Sequence, residues 1–270
     1  MKSSLFEVHY IAMNTKTLSP HALSVIDQYT HFKVGEATCT IPYFNNKTTK
    51  AKAALAVRVG KGSPKEISDE IKEFTHLKHI PTEILTNESL KKILTDNNIG
   101  IDCSGFAYYV LNAENKELGK GTLDKHIHFT QSHGLFGKIL SRLSPVKNIG
   151  VATFADDANS RIISVQHIQP GDMITMIGDS EEFERDHILI IHRAEYQNFI
   201  PTKIYYSHAI AYPEDGIYGT GIKEGMIEIT DLHKSITEQR WTENNTTNEQ
   251  NHMCVRARKS NTQIRRLKWW

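Results

Sequence analysis

The chain has 270 residues, 39% of them apolar, which is enough to bury a substantial core in one domain with insertions. Its 32 Lys and Arg residues against 31 Asp and Glu leave a formal net charge of +1, so no global field recruits nucleic acid or an anionic membrane. Three cysteines, Cys39, Cys103 and Cys254, cannot all pair within one chain and lack metal-site spacing. These counts argue against a disulfide scaffold.

The hydropathy pattern gives neither a signal peptide nor a membrane span. The N-terminal stretch "MKSSLFEVHYIAMNTK" is interrupted by Glu7 and His9, and nowhere does the chain run 18 residues apolar. We therefore expect a protein without stable membrane insertion that is cytoplasmic by default. It would belong to the cell envelope if a leader was removed or if export is non-standard.

Two helices are well signalled in the N-terminal part of the chain. In "GSPKEISDEIKEF", Ser63 is the predicted N-cap, Pro64 is the first helical residue and Glu66 completes a capping box. In "TNESLKKILTDNN", Leu90 and Leu94 share one face of a second helix. The stretch "ALAVRV" predicts a strand, and "HGLFGKILSRL" later in the chain predicts an amphipathic helix.

The pattern becomes β after Arg161. The segments "DMITMI", "HILIIHRAEY" and "TKIYYSHAIAY" have strand length and are separated by turn-forming residues, which predicts an antiparallel meander. "IISVQHI" before them, and "GIKEGMIEI" and "HMCVRARK" after them, predict further strands. Helices followed by an antiparallel sheet are typical of the α+β class.

One cysteine lies where a helix begins. In "DCSGFAYYVLN", Asp102 is a good N-cap and places Cys103 in the first helical turn, where unsatisfied N–H groups and the helix dipole favour the thiolate. Gly105 is a poor helix residue unless something approaches it closely. A reactive nucleophile and a small buried core residue are both compatible with this position.

A thiol nucleophile needs a base within hydrogen-bond reach and a third group that orients the base. Of the 14 histidines, His187 is the best placed, because it opens the strand "HILII". The β period puts Leu189 and Ile191 on the face of His187, which we expect to pack toward the Cys103 helix, and His192 on the other face. His208 lies on the next strand. Adjacent antiparallel strands bring facing residues to about 5 Å, which is close enough for His208 to hold His187.

The ordered motifs "GIDCSGFAYYVL", "IQPGDMITM", "DHILII" and "YYSHA" resemble those of the NlpC-type papain-like cysteine peptidases. These are bacterial enzymes that cut peptide bonds in the stem peptide of the cell wall. The resemblance implies a papain-like fold, in which the nucleophile-bearing helix packs on an antiparallel sheet with N-terminal helices beside it. It also implies Cys103 as nucleophile, His187 as base and His208 as the orienting residue.

The same resemblance implies a substrate and its binding residues. Asp102 and Ser104 would sit beside the free amino end of a peptidoglycan stem peptide, and Tyr43 of "CTIPYF" would lie near the site. The implied reaction is hydrolysis of an amide bond through a thioester, without a metal or an organic cofactor. Ser207 alternates with His208 and would become the third residue if the strand register slipped by one.

The resemblance covers residues 100–112 and 165–224, and we expect one papain-like catalytic domain over residues 1–270. Within it we expect a flanking region at 1–98, an insertion at 113–164 and a basic C-terminal strand or tail at 255–270. The insertion is expected because the spacing from Cys103 to the predicted base is longer than in a minimal member of the family.

Other patterns carry weaker alternatives. His126, His128 and His133 could form a metal trio, but no further ligand completes it at the usual spacing, and we interpret the segment as a solvated loop. The ending "VRARKSNTQIRRLKWW" could touch an anionic polymer or a membrane interface, although a strand with a solvated tail is preferred. A thioester-based acyltransferase and a non-catalytic wall-binding module on the same fold are the alternative functions.

Overall fold

The computed structural model describes residues 13–45, 56–129, 145–178 and 185–270. Within these ranges the α-helices are α1 (Pro20–Thr30), α2 (Pro64–Leu77), α3 (Asn87–Asp96), α4 (Cys103–Glu117), α5 (Pro145–Asn148), α6 (Val151–Ala155) and α7 (His252–Arg258). The strands are β1 (Met13–Thr17), β2 (Phe32–Val34), β3 (Ala37–Cys39), β4 (Ser160–Ile162), β5 (Met173–Gly178), β6 (His187–Gln197), β7 (Ile200–Ile210), β8 (Gly221–Glu228), β9 (Arg240–Glu243), β10 (Thr246–Thr247) and β11 (Ser260–Leu267). None of the described helices is long and apolar enough to span a membrane.

One antiparallel sheet holds most of these strands. Its order is β10-β9-β8-β7-β6-β5-β11-β4, and β1 pairs with the second half of β6. The run from β5 to β8 confirms the predicted meander and the strand predicted at "GIKEGMIEI". This combination of helices with an antiparallel sheet confirms the α+β class. Because β6 has partners on both sides, the sheet fixes the position of its first residue, His187.

Apolar side chains pack on both faces of this sheet. On one face, α4 contributes Phe106 and Val110 to a cluster that includes Ile188 and Ile190 of β6. The opposite face carries a second cluster that includes Leu189, Ile191, Tyr206, Trp241 and Met253. With both faces buried, the apolar run of β6 has no polar side to mark which way it faces.

The two N-terminal helices begin where their caps predict. The Oγ of Ser63 accepts the N–H of Glu66 at 3.2 Å, and the Glu66 carboxylate accepts the N–H of Ser63 at 2.8 Å, which completes the capping box before α2. Thr86 and Ser89 form the equivalent pair before α3. The helix predicted at 133–143 lies outside the described residues.

Three of the predicted strands are wrong. In "IISVQHI" only Ile162 belongs to a strand, and Val165–His167 form a 3-10 turn. The segment "HMCVRARK" forms α7, because the side chain of Asn251 accepts the N–H of Cys254 at 2.8 Å and caps a helix whose buried residues include Cys254 and Ala257 at helical spacing. The described part of "ALAVRV", Ala56–Val59, is a 3-10 turn, which closes when the N–H of Lys61 donates to the carbonyl of Ala56 at 2.9 Å.

The C-terminal residues belong to the packed structure. β11 lies inside the sheet between β5 and β4, and the indole N–H groups of Trp269 and Trp270 both donate to Oδ1 of Asn115 on α4, at 2.9 and 2.8 Å. The interpretation of 255–270 as a strand with a solvated tail is therefore wrong for the tail. The predicted insertion at 113–164 likewise begins inside α4.

Candidate active site

The start of α4 presents Cys103 as predicted. Asp102 is the N-cap, with extended backbone, and its Oδ1 accepts the N–H of Gly105 at 2.7 Å, so Cys103 is the first helical residue. A Cβ added to Gly105 would lie 2.8 Å from Cδ1 of Ile101 and 3.0 Å from the carbonyl oxygen of Gly60. Glycine is required here because the first turn of α4 packs against neighbouring main chain.

The Cys103 thiol meets the beginning of β6. Only 4% of the residue is exposed, and its sulfur accepts the backbone N–H of Ile188. Since Ile188 directly follows His187 in the chain, the thiol lies beside the residue predicted as its base. The nucleophile therefore contacts main-chain atoms at the beginning of β6.

Burial raises the pKa of the Cys103 thiol to about 12, and the carboxylate of Asp102 acts in the same direction. The positive charges of Lys61 and Arg256 lower the pKa of this thiol, but by less. Burial thus opposes the thiolate that the helix N-terminus favours. The cost of taking the sulfur out of water exceeds the stabilisation that the helix N-terminus and the two cations give to the anion.

Three buried side chains form a hydrogen-bonded triplet, His187–His208–Glu243. Nε2 of His187 lies 2.8 Å from Nδ1 of His208, and Nε2 of His208 lies 3.2 Å from both carboxylate oxygens of Glu243. The hydroxyl groups of Tyr206 and Tyr212 donate to Glu243 at 2.7 and 2.5 Å. The sheet thus brings His187 and His208 together as predicted and adds a carboxylate.

The charge of Glu243 decides which ring nitrogens carry protons. Burial alone would raise the pKa of Glu243, but His208 and the two tyrosine hydroxyls hold that pKa below its usual value, so the group is an anion that only accepts. When both rings are neutral, Nε2 of His208 carries the proton that Glu243 accepts, and Nδ1 accepts from Nε2 of His187. The lone pair of His187 is then on Nδ1, ready to take a proton.

The pKa of His187 lies well below its usual value. Burial is the main cause, and the positive charge of Arg256 and the neighbouring His208 add to it. The ring is therefore neutral at neutral pH, which is the state that a general base requires. The Cys103 thiol contacts this strand through the backbone N–H of Ile188, the residue that follows His187.

The predicted orientation of β6 is wrong. Ile188 and Ile190, not Leu189 and Ile191, pack in the cluster that contains Cys103. All four side chains are buried, so alternation of polar and apolar residues could not select the face. The pairing of His187 with His208 is also diagonal, because the register sets Ile190 opposite Ser207 and hence Leu189 opposite His208.

Ser207, the alternative third residue, has a different partner. Its Oγ lies 2.7 Å from Nδ1 of His192 and 3.3 Å from Oε1 of Glu224. His192 and Glu224 line an open cavity of about 590 Å³ that is also bordered by Arg193 and Tyr205. It is therefore His208 that contacts His187, while Ser207 and His192 belong to a separate group.

Asp102 and Ser104 were predicted to sit beside a substrate amine. In the structure both contact the ammonium group of Lys61. Nζ of Lys61 lies 2.8 Å from Oδ1 of Asp102 and 2.5 Å from Oγ of Ser104, and all three residues are buried. Lys61 follows a glycine turn with no helix or strand pattern of its own. Nothing in the local sequence marks it as a site residue.

Tyr43 lies close to the thiol. The residue forms a parallel bridge with Ile101, two positions before Cys103, and its hydroxyl accepts from Nδ2 of Asn45 at 3.2 Å. Burial raises the pKa of the Tyr43 hydroxyl, and the nearby Cys103 sulfur contributes to the rise. This position is the one expected from the upstream "IPYF" segment.

Sequence reasoning missed Arg256 and Glu243. A guanidinium nitrogen of Arg256 donates to the carbonyl of Arg185, just before His187, and its charge acts on Cys103. Arg256 lies in a segment predicted as a C-terminal strand or tail, and no motif singled out Glu243. The Asn251 cap signal before α7 and the two asparagines after Glu243, which are typical of a tight hairpin turn, are the signals that could have found these elements.

The alternative of a histidine metal trio has no support among the described residues, where no group of three potential ligands is close enough to bind a metal. Nε2 of His126 lies 2.8 Å from the carbonyl oxygen of Lys120, and its ring stacks on Trp269. The backbone N–H of His128 donates to Asn159. His133 lies outside the described residues.

Comparison of the chain with protein-family models, with curated proteins and with solved structures gave no match in any of the three.

Proposed function

We propose that this protein is a cysteine-dependent amide-bond hydrolase with a papain-like fold, acting on peptidoglycan stem peptides through a thioester intermediate. The observation that carries the proposal is the meeting of the Cys103 thiol, at the first residue of α4, with the start of β6, where the His187–His208–Glu243 triplet begins. A nucleophile, a base and groups that orient the base are the parts that this chemistry needs.

The reaction has two stages. The sulfur of Cys103 attacks the carbonyl carbon while Nδ1 of His187 takes the thiol proton. The tetrahedral intermediate then collapses, the C–N bond breaks, and His187 returns the proton to the leaving amine. In the second stage His187 takes a proton from water, the resulting hydroxide equivalent attacks the thioester carbon, and the C–S bond breaks to give a carboxylic acid and the free thiol. No oxidant or cofactor enters this balance.

Fixed charges support the charge separation of the first step. As the thiol becomes an anion, the nearby cations Lys61 and Arg256 stabilise it. As His187 becomes a cation, Glu243 stabilises it through His208. The backbone N–H of Cys103, at the unsatisfied N-terminus of α4, is a donor for the oxyanion. The neutral resting pair thus ionises only when a carbonyl is bound.

The stem peptide as substrate follows from the resemblance of the "DCSG", "PGD" and "DHILII" motifs to the NlpC-type peptidases. Incubation of a muropeptide panel with the protein, followed by mass spectrometry, tests it directly. Hydrolysis yields two fragments whose summed mass exceeds that of the substrate by one water. Acyl transfer instead joins the fragment to an added amine, and a binding module leaves the panel unchanged.

The control variants separate chemistry from folding. Cys103→Ala should give no product, whereas Cys39→Ala, which removes a half-buried thiol on β3, should leave product formation intact. An unchanged panel with the wild-type protein, or equal products with Cys103→Ala, would contradict the proposal.

A further inference from the structure

A buried lysine lies directly beside the proposed nucleophile. Lys61 is 5% exposed, and its Nζ donates to Oδ1 of Asp102 at 2.8 Å, to Oγ of Ser104 at 2.5 Å and to the carbonyl of Ile149 at 2.9 Å. An ammonium has three protons, and here each has an acceptor. Asp102 and Ser104 are the residues on either side of Cys103.

One oxygen of the carboxylate that Lys61 contacts has three donors. Oδ1 of Asp102 accepts from Lys61, from Oγ of Ser104 at 3.0 Å and from the N–H of Gly105 at 2.7 Å. The main chain of Lys61 is held as well, because the hydroxyl of Tyr109 donates to its carbonyl at 2.9 Å, and the absence of a side chain at Gly105 leaves room for the side chain of Lys61. This ion pair is a fixed part of the site.

The pair changes the charge that a substrate meets. Lys61 and Asp102 neutralise each other, and Arg256 contributes a further positive charge close enough to lower the pKa of the Cys103 thiol. The carboxylate of Glu243 lies on the far side of His208. A substrate ammonium next to the scissile bond would therefore meet the positive charge of Arg256, while the adjacent carboxylate is already paired with Lys61.

We propose that Lys61 fills the position of a substrate ammonium, so that the site accepts peptides whose residue before the scissile bond has no free amino group. This inference rests on the proposed amide hydrolysis and names its substrate class: acylated or internal peptide segments, as opposed to peptides with a free N-terminus at that residue. Lys61 is then a residue that determines specificity.

The first test uses pairs of stem peptides that differ only in a free or an acetylated amino group before the cleaved bond. We expect kcat/KM of the wild-type protein to favour the acetylated peptide by roughly tenfold or more, as repulsion from a nearby like charge implies. Lys61→Met should remove or invert this preference, while Lys65→Met, on the exposed face of α2, should keep it. A wild-type preference for the free amine, or an unchanged ratio in Lys61→Met, would overturn the inference.

Cleavage of neither peptide would count against the hydrolase itself. In that case calorimetry measures the affinities for the free and the acetylated peptide in the Cys103→Ala background. A gain of affinity for the free amine on adding Lys61→Met supports the inference, and the absence of that gain contradicts it.

Removal of Lys61 can also prevent folding, because it leaves the Asp102 carboxylate buried without a partner. Thermal unfolding of Lys61→Ala in increasing ethylammonium chloride covers this case. A saturable rise of Tm, or recovery of the folded state, in this variant but not in Lys65→Ala would show that the site takes one external ammonium. No rise would contradict the inference.

Discussion

Nε2 of His187 lies 2.8 Å from Nδ1 of His208, and His187 is the donor of this hydrogen bond when both rings are neutral. Because Glu243 accepts the proton on Nε2 of His208, the proton between the two rings belongs to His187 when both rings are neutral. The free lone pair of His187 is thereby placed on Nδ1. A carboxylate two side chains away sets the tautomer of the proposed base.

Removal of the charge at Glu243 should weaken catalysis without unfolding the protein. Glu243→Gln keeps an acceptor for His208 but loses the anion that fixes its tautomer and stabilises a cationic His187. We expect kcat on a cleaved peptide to fall by about 10- to 100-fold, toward the lower end of losses for groups that assist a base. Glu224→Gln, which changes an exposed carboxylate at the separate Ser207–His192 group, is the matched control. An equal loss in both variants would contradict a specific role for Glu243.

The two histidines of "DHILIIHR" should behave differently. His187→Ala removes the proposed base, and turnover should fall by about 10²- to 10⁴-fold or more with an unchanged circular dichroism spectrum. His192→Ala breaks a contact with Ser207 on a separate group and should cost little. If His192 proved essential and His187 dispensable, the assignment of the site would have to be redrawn.

The depressed pKa of His187 predicts a pH-dependent stability. The unfolded state takes up a proton near pH 6.5 and the folded state does so only well below that value. The contribution of neutral His187 to the free energy of unfolding is therefore complete above pH 6.5 and is lost as the pH falls through the lower pKa of the folded state. Denaturant unfolding between pH 7 and 5 should show a decline of up to about 1.4 kcal/mol per pH unit from this group.

His187→Gln should make that decline shallower by the equivalent of one proton, whereas His233→Gln, at an exposed position, should not. Buried His192, whose pKa is also lowered, accounts for part of the remaining slope. Identical slopes in the wild-type protein and His187→Gln would show that His187 ionises normally in the fold.

The neutral state of the resting thiol can be tested by alkylation. With a pKa near 12 and 4% exposure, Cys103 should react with limiting iodoacetamide at neutral pH no faster than Cys39, whose residue is half-buried. Peptide mapping by mass spectrometry gives the order of labelling, and the urea-unfolded protein provides the reference rates. Selective labelling of Cys103 would mean that a thiolate–imidazolium pair exists before substrate binds.

Local signals in the sequence predicted the elements that local contacts determine. The caps at Ser63 and Asp102 and the β5–β7 meander depend on residues within a few positions or on adjacent strands, and the structure has them. The start of α7 was missed because "CVRAR" alternates like a strand, although Asn251 caps a helix there.

The remaining features of the site depend on contacts distant in sequence. Glu243 joins His208 across 35 residues and Lys61 joins Asp102 across 41, and neither segment carries a pattern that names its partner. The burial of the Cys103 thiol is also set by the whole fold, and it disfavours the anion that the helix N-terminus favours locally.

The C-terminal indoles have a consequence for synthesis of the protein. Trp269 and Trp270 contact Asn115 across 154 and 155 residues, and β11 pairs inside the sheet with strands made about a hundred residues earlier. Contacts of such sequence separation form late and slowly. While the ribosome still holds residues 260–270, α4 and the sheet lack these partners. A nascent chain stalled before Ser260 should therefore be more sensitive to protease than a chain that includes residues 260–270.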